Sequence, residues 1–387
     1  MEISTFYFSW FELGCFGMLL TALIVQIYYY LRYFTGIIHK SKENSPKKID
    51  SDIQKPPVSV VICARDEEIN LRKFLPMILQ QNYPQYEVIV VDDGSYDNTE
   101  EYLLSVTKQY PHLKTSFVPK DAKSRSTKKL GLTIGIKAAS YDLLLFTDAD
   151  CMPEGNLWIS EMVKNFHPQT EFVLGYGGYL KEKGFLNKLI KFDTLFIGMQ
   201  YLGMAIARRP YMGVGRNMAY RKETFFKMKG FASTLGLLSG DDDLMIQRGA
   251  NKTNVEVAVS AGSVTWSEPK TTFKRWLAQK ERHLSVSEHY KNSSKLLLAV
   301  EPASRGLFYT SIVLITVFGN WVAVAAAILL LLLRWFALQM PVINKSARIL
   351  GDERFYFTIP LFDVFLPLNT LYILIFKRKN RNNLRWK

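Results

Sequence analysis

Residues 141–150 read YDLLLFTDAD, an apolar run from Leu143 to Phe146 that ends in the carboxylates of Asp148 and Asp150. A short, nearly unbroken apolar segment bounded by polar residues predicts a strand buried on both faces. Two earlier segments have the same form. VSVVICA (58–64) runs into Arg65-Asp66-Glu67-Glu68, and YEVIVVDDGS (86–95) runs into Asp92-Asp93-Gly94-Ser95. Helical patterns over Asn70 to Gln80, Thr99 to Tyr110 and Thr127 to Ala139 separate them, with a short strand over Lys114 to Val118. Buried strands spaced by helices imply an α/β fold with a Rossmann-like, mostly parallel sheet. Such sheets bind ligands at the carboxyl ends of their strands. Here three of those ends carry polar clusters.

After Asp150 the alternation weakens. Asn187 to Ala207 is a long apolar helix pattern, which would form core or lie on a membrane. Tyr211 to Tyr220 (YMGVGRNMAY) reads as a Gly-rich hairpin. Ser239 to Arg248 (SGDDDLMIQR) reads as a turn capping a helix, and Thr272 to Tyr290 as a helix.

The acids suggest a chemistry. Alternate residues of an extended chain point the same way, so Asp148 and Asp150 could face one ion. Carboxylate oxygens suit Mg²⁺ or Mn²⁺. Such an ion can bridge a diphosphate and take up charge as it leaves. Asp92-Asp93 either makes a tight turn or accepts from a nucleobase imide or a ribose hydroxyl. Asp241-Asp242-Asp243, after Gly240, has the composition of a helix N-terminus.

Together VSVVICARDEEINL, VIVVDDGSYDNT and TDAD resemble the family-2 glycosyltransferases of the GT-A fold, above all the membrane-bound polysaccharide synthases and their non-processive relatives. The resemblance spans about Pro57 to Tyr290. It implies that Ala64, Arg65 and Glu67 line a nucleotide pocket and that Asp93 reads the base. It implies that Asp148 meets ribose and metal, that Asp150 holds the metal, and that Lys128 is a further base or phosphate contact. The family carries a Glu-Asp pair, its Asp the general base, where this chain has three aspartates. Counting back from Leu244 makes Asp241 the base, whereas reading the first pair makes it Asp242. Gln279-Lys280-Glu281-Arg282-His283 resembles the family's Q-x-x-R-W motif with His283 in place of Trp, and Arg282 would brace the diphosphate. Gly213, Gly215, Arg216 and Asn217 resemble the acceptor-side hairpin.

Hydrophobic residues are 48% of the chain, but they are segregated. Leu13 to Leu31 and Gly306 to Leu333 carry no charge, and each is long enough to cross a bilayer. The first is expected to be a retained anchor: no Lys or Arg precedes it, and no small-x-small cleavage site follows. Arg32, Lys40, Lys42, Lys47 and Lys48 then place the chain beyond it in the cytosol. Gly319-Asn320 could turn a hairpin. Phe355 to Phe376 contains Pro360, Asp363 and Pro367, so it should pack on protein or lie at the interface. The net charge of +14 has a membrane explanation, because many cations flank apolar runs, six of them in the tail Lys377 to Lys387. No nucleic-acid signature accompanies it. Cys15, Cys63 and Cys151 form no disulfide framework and no zinc site.

The expected organisation is an anchor (1–33), a basic linker (34–56), a cytosolic catalytic domain (57–292) and a C-terminal membrane region with a basic tail (293–387). The expected activity is metal-dependent, inverting transfer of a sugar from a nucleotide diphosphate, UDP by preference. The acceptor would be a lipid-linked species or a glycan, at the plasma or inner membrane, in glycolipid, polysaccharide or cell-envelope synthesis. Two rivals are a processive exopolysaccharide synthase and a non-catalytic nucleotide-sugar-binding membrane subunit.

Overall fold

Strands shielded on both faces need apolar residues throughout, which this chain supplies in three places, and a fourth, more polar strand lies at the sheet edge. In the computed structural model, which describes residues 8–43, 55–120 and 126–376, these become β1 (Val58–Ala64), β2 (Tyr86–Asp92), β3 (Leu113–Phe117) and β4 (Leu143–Phe146). All seven residues of β1 are buried. β1 pairs in parallel with β2 on one side and β4 on the other, and β3 extends β2.

Six short strands complete two sheets: β5 (Cys151–Pro153), β6 (Phe172–Leu174), β7 (Gly177–Tyr179), β8 (Met218–Arg221), β9 (Val255–Val257) and β10 (Thr265–Ser267). The main sheet runs β3-β2-β1-β4-β8-β6-β9, and a small sheet runs β5-β10-β7. β8 is antiparallel to both β4 and β6. The main sheet is thus mostly parallel, as the alternation predicts.

Two sequence expectations change. β4 stops at Phe146, and Asp148 to Asp150 lie in a turn rather than on the strand. Tyr211 to Tyr220 is no hairpin. Its first part is irregular, and its end becomes β8, whose partners β4 and β6 are distant in sequence. The non-local pairing won over the local turn signal.

The helix Thr127–Ala138 shows how packing aims a functional residue. Gly131 and Gly135 lie one turn apart on its sheet-facing side. A Cβ at Gly131 would stand 2.7 Å from Cys63 Sγ, and one at Gly135 would stand 2.7 Å from Val61 Cγ1. Bare glycines let the helix lie against β1 and β2. Its first turn, with Lys128, then sits over the carboxyl ends of the strands.

Among the described residues, five helices are long and apolar enough to cross a membrane. Phe185–Ile206 is mostly buried within the protein. Its neighbours are Gly36–Glu43, which makes the first residues of the expected linker helical, and a π-helical turn at Tyr30–Phe34. The N-terminal helix begins at Trp10 and packs along Asn292–Phe318. Helix stops at Gly319-Asn320 and restarts at Trp321, where the turn was read. The last apolar segment is one helix, Thr358–Phe376. Lys47, Lys48 and the basic tail 377–387 lie outside the described residues.

Candidate active site

A cavity of about 1800 Å³ opens at the carboxyl ends of the strands. Arg65, Glu67, Lys128, Asp148, Asp150, Asp241, Asp242, Gly215, Arg216, Gln279, Arg282 and His283 all line it. Residues up to 218 positions apart in sequence therefore share one site.

The Lys128 ammonium is the junction. It lies 2.9 Å from Asp148 Oδ1 and 3.3 Å from Asp241 Oδ2. Burial works against its charge, but Asp148, Asp241 and Asp242 outweigh that and hold its pKa well above the ordinary lysine value. For Asp148 burial is likewise outweighed, by Lys128 first and then Arg216 and Arg282, and the carboxyl is held below its usual range. Asp150 goes the other way. Burial, then Asp148 and Glu67, raise it above the usual carboxylate range.

Ligand atoms of Asp148, Asp150 and Cys151 lie within 4.8 Å of one another. Cys151 is fully buried, its thiol lies 2.9 Å from Ser267 Oγ, and burial with Asp150 holds it well above its ordinary pKa. The buried thiol turns to Ser267, and the two carboxylates offer hard oxygens that could hold Mg²⁺ or Mn²⁺.

The three central aspartates have distinct surroundings. Asp242 is a helix cap: Oδ2 accepts from the Gly215 N–H at 2.8 Å and Oδ1 from the Asp243 N–H at 2.8 Å. Asp243 is buried and accepts from the Tyr290 hydroxyl at 2.5 Å. Burial and Asp242 hold its carboxyl well above the usual range. Asp241 turns toward Lys128 and the cavity.

The Asp92-Asp93 pair divides the same way. Asp92 Oδ1 accepts the Ser95 N–H and hydroxyl and closes the turn. Asp93 Oδ2 accepts the Thr127 hydroxyl at 2.6 Å, and Oδ1 has no hydrogen-bond partner among the described residues. Burial holds the Asp93 carboxyl above its usual range. An orphaned buried acceptor beside Arg65 suits an N–H donor from a ligand.

Other expected residues do different work. Ala64 is buried and offers only its carbonyl, which accepts the Asp93 N–H at 2.7 Å. Asn217 is fully buried behind the cavity. It donates to the carbonyls of Tyr176 and Ser263 and accepts from the Trp158 indole. It joins the two sheets. Arg216 and Gln279 both donate to the Tyr179 hydroxyl, at 3.2 and 2.8 Å, and Arg216 also donates to the Gly177 carbonyl.

Tyr179 had no signal in the sequence. Neither had Lys129, which is fully buried and donates to the carbonyls of Thr234, Leu237 and Ser239. All three ammonium protons hold the loop leading into Asp241. The resemblance names Lys128, and only the fold shows what Lys129 beside it holds.

A GT-A sheet with acids gathered at its strand ends defines a nucleotide-sugar transferase class. The chain matches the model of Glycosyl transferase family 2 over residues 59–227 and that of Glycosyl transferase family group 2 over residues 158–375. It belongs to glycosyl transferase family 2. It is similar to the probable glycosyltransferase YdaM of Bacillus subtilis, 25% identical over 62% of this chain and 57% of that one. It is 27% identical to the poly-beta-1,6-N-acetyl-D-glucosamine synthase of Staphylococcus aureus, over 41% of this chain and 37% of that one. The match thus spans from about a third to just over half of those relatives. Among solved structures, the mannosyltransferase PcManGT from Pyrobaculum calidifontis, in complex with GDP-Man and Mn²⁺, superposes with a TM-score of 0.54 at 17% identity. That match covers 88% of this chain and 99% of the other.

Proposed function

We propose that this protein is an inverting, metal-dependent glycosyltransferase that moves a sugar from a nucleotide diphosphate, UDP by preference, to an acceptor at the membrane. One observation carries the reading: Lys128 draws Asp148 and Asp241 together beside Asp150, at the mouth of a parallel sheet. The domain between the membrane helices would face the cytosol of the plasma or inner membrane, where nucleotide sugars are made.

Asp93, with its free oxygen, would accept from the base, and Arg65 would flank it. Asp148 and Asp150 would hold a divalent cation, which when bound takes up charge on the departing diphosphate. Asp241 is the base in this reading, because Asp242 is committed to the cap and Asp243 to Tyr290. An acceptor hydroxyl gives its proton to the Asp241 carboxylate as its oxygen bonds the anomeric carbon. The bond from that carbon to the diphosphate breaks on the opposite face, and its electron pair leaves with the nucleotide. Arg282 would brace the diphosphate.

The likeness to a poly-N-acetylglucosamine synthase favours a processive synthase as the second reading. Product length made with labelled donor separates the two. The metal assignment is tested by titrating UDP into Asp150→Ala with and without Mn²⁺. Metal-dependent binding should vanish, and undiminished binding would remove the site.

A further inference from the structure

The cavity continues past the acids. Its volume of about 1800 Å³ exceeds the roughly 300–1,000 Å³ of single small-ligand sites, so it has room for a second substrate. From Asp241 and Arg282 it passes Arg305 and Asp363 and runs on between the helices Asn292–Phe318 and Thr358–Phe376. Val313 and Leu314 wall it on one side, Leu368 and Leu371 on the other. Val313, Leu368 and Leu371 are 59%, 60% and 52% exposed, so the slot opens sideways on membrane-length helices. Among the described residues, Thr310 and Thr370 are its polar members, and no aromatic ring lines it beyond Tyr309.

A glycan strand would need hydrogen-bond partners for its hydroxyls and rings to stack on. This end offers neither in quantity. A hydrocarbon chain needs only an apolar wall and an opening toward the bilayer. The exposed Arg275 and Lys295 line the same cavity, and such cations suit an anionic lipid head.

We infer that the slot takes the hydrocarbon chain of a lipid acceptor and delivers its head to Asp241. The inference rests on the transferase reading above and narrows its acceptor to a lipid carrying a hydroxyl or phosphate oxygen. In either case that oxygen bonds the anomeric carbon as the bond to the diphosphate breaks. A hydroxyl passes its proton to Asp241, whereas a phosphate oxygen is already deprotonated.

The full chain in nanodiscs, supplied with a polyprenyl phosphate or with diacylglycerol, is incubated with labelled UDP-N-acetylglucosamine, UDP-glucose or GDP-mannose. Label should enter the organic phase. Release by mild acid marks the phosphate acceptor and resistance marks the hydroxyl; each supports the slot. Leu371→Trp and Val313→Trp, which exclude about two methylenes of the chain, should lower transfer about tenfold and leave UDP affinity unchanged. Leu329→Trp, on the exposed face of Trp321–Leu332 outside the slot, should transfer like wild type. Label found only in water-soluble glycan, or both slot variants transferring at the wild-type rate, overturns the lipid slot while the transferase reading stands. Absence of nucleotide release from every donor overturns both.

Discussion

Two buried charge clusters lie along the same cavity, and they are built on opposite plans. At the membrane end Asp363 meets Arg334 at 2.5 Å and Arg305 at 3.3 Å, and Arg305 meets Glu301 at 2.5 Å. Gln339 donates to Asp363 at 2.8 Å, and Tyr309 donates to it as well. Two acids face two guanidinium groups, and all four residues are buried. At the catalytic end Asp148 and Asp241 share one ammonium, and Asp150 is pushed up by burial and then by its acidic neighbours. Balanced charge fastens helices together. On the proposed function, a cation and the diphosphate it accompanies would complete the catalytic cluster.

The comparison breaks most visibly at Asp363. Asp363→Ala should destabilise the membrane region by about 3–5 kcal/mol, because Arg334 is left buried without its carboxylate. Thermal unfolding in detergent reads this, and a wild-type melting temperature would deny the cluster its fastening role. Next is Asp241→Asn, which should cut turnover about a hundredfold or more with UDP binding intact, the scale of a lost general base. Single-turnover assays beside UDP titrations decide it; full activity would return the base to Asp242.

Lys129→Met is expected to reduce kcat about tenfold by loosening the loop before Asp241. A normal UDP affinity beside the lowered kcat would confirm positioning rather than collapse. The smallest effect belongs to Asp242→Ala, which should cost about 1 kcal/mol of stability as a lost helix cap. A loss of turnover as deep as that of Asp241→Asn would show that Asp242 does chemistry too.

The parallel half of the sheet was legible because burial on both faces leaves a continuous apolar run; the seven-residue reading of Val58–Ala64 matches β1 residue for residue. The three-residue strands β5, β6, β7, β9 and β10 were not, since so short a segment has no period to read. Asn217 shows a subtler limit. It stands in a Gly-rich motif beside Arg216, yet its amide bridges two sheets, because its backbone enters β8 one residue later. The sequence left Phe355 to Phe376 either packed on protein or at the interface, and it could not single out Arg305 and Arg334, among so many basic residues, as the partners of Asp363.

Local chemistry, written in the chain itself, determined which strands are buried, where acids follow them, and that apolar helices flank the whole. Tertiary structure decided which aspartate caps, which meets Lys128, and that the acids and an aliphatic slot share one space. The physical reason is that hydrophobic patterning acts over neighbouring residues. The partner of a buried charge is chosen by chain segments that meet only after folding.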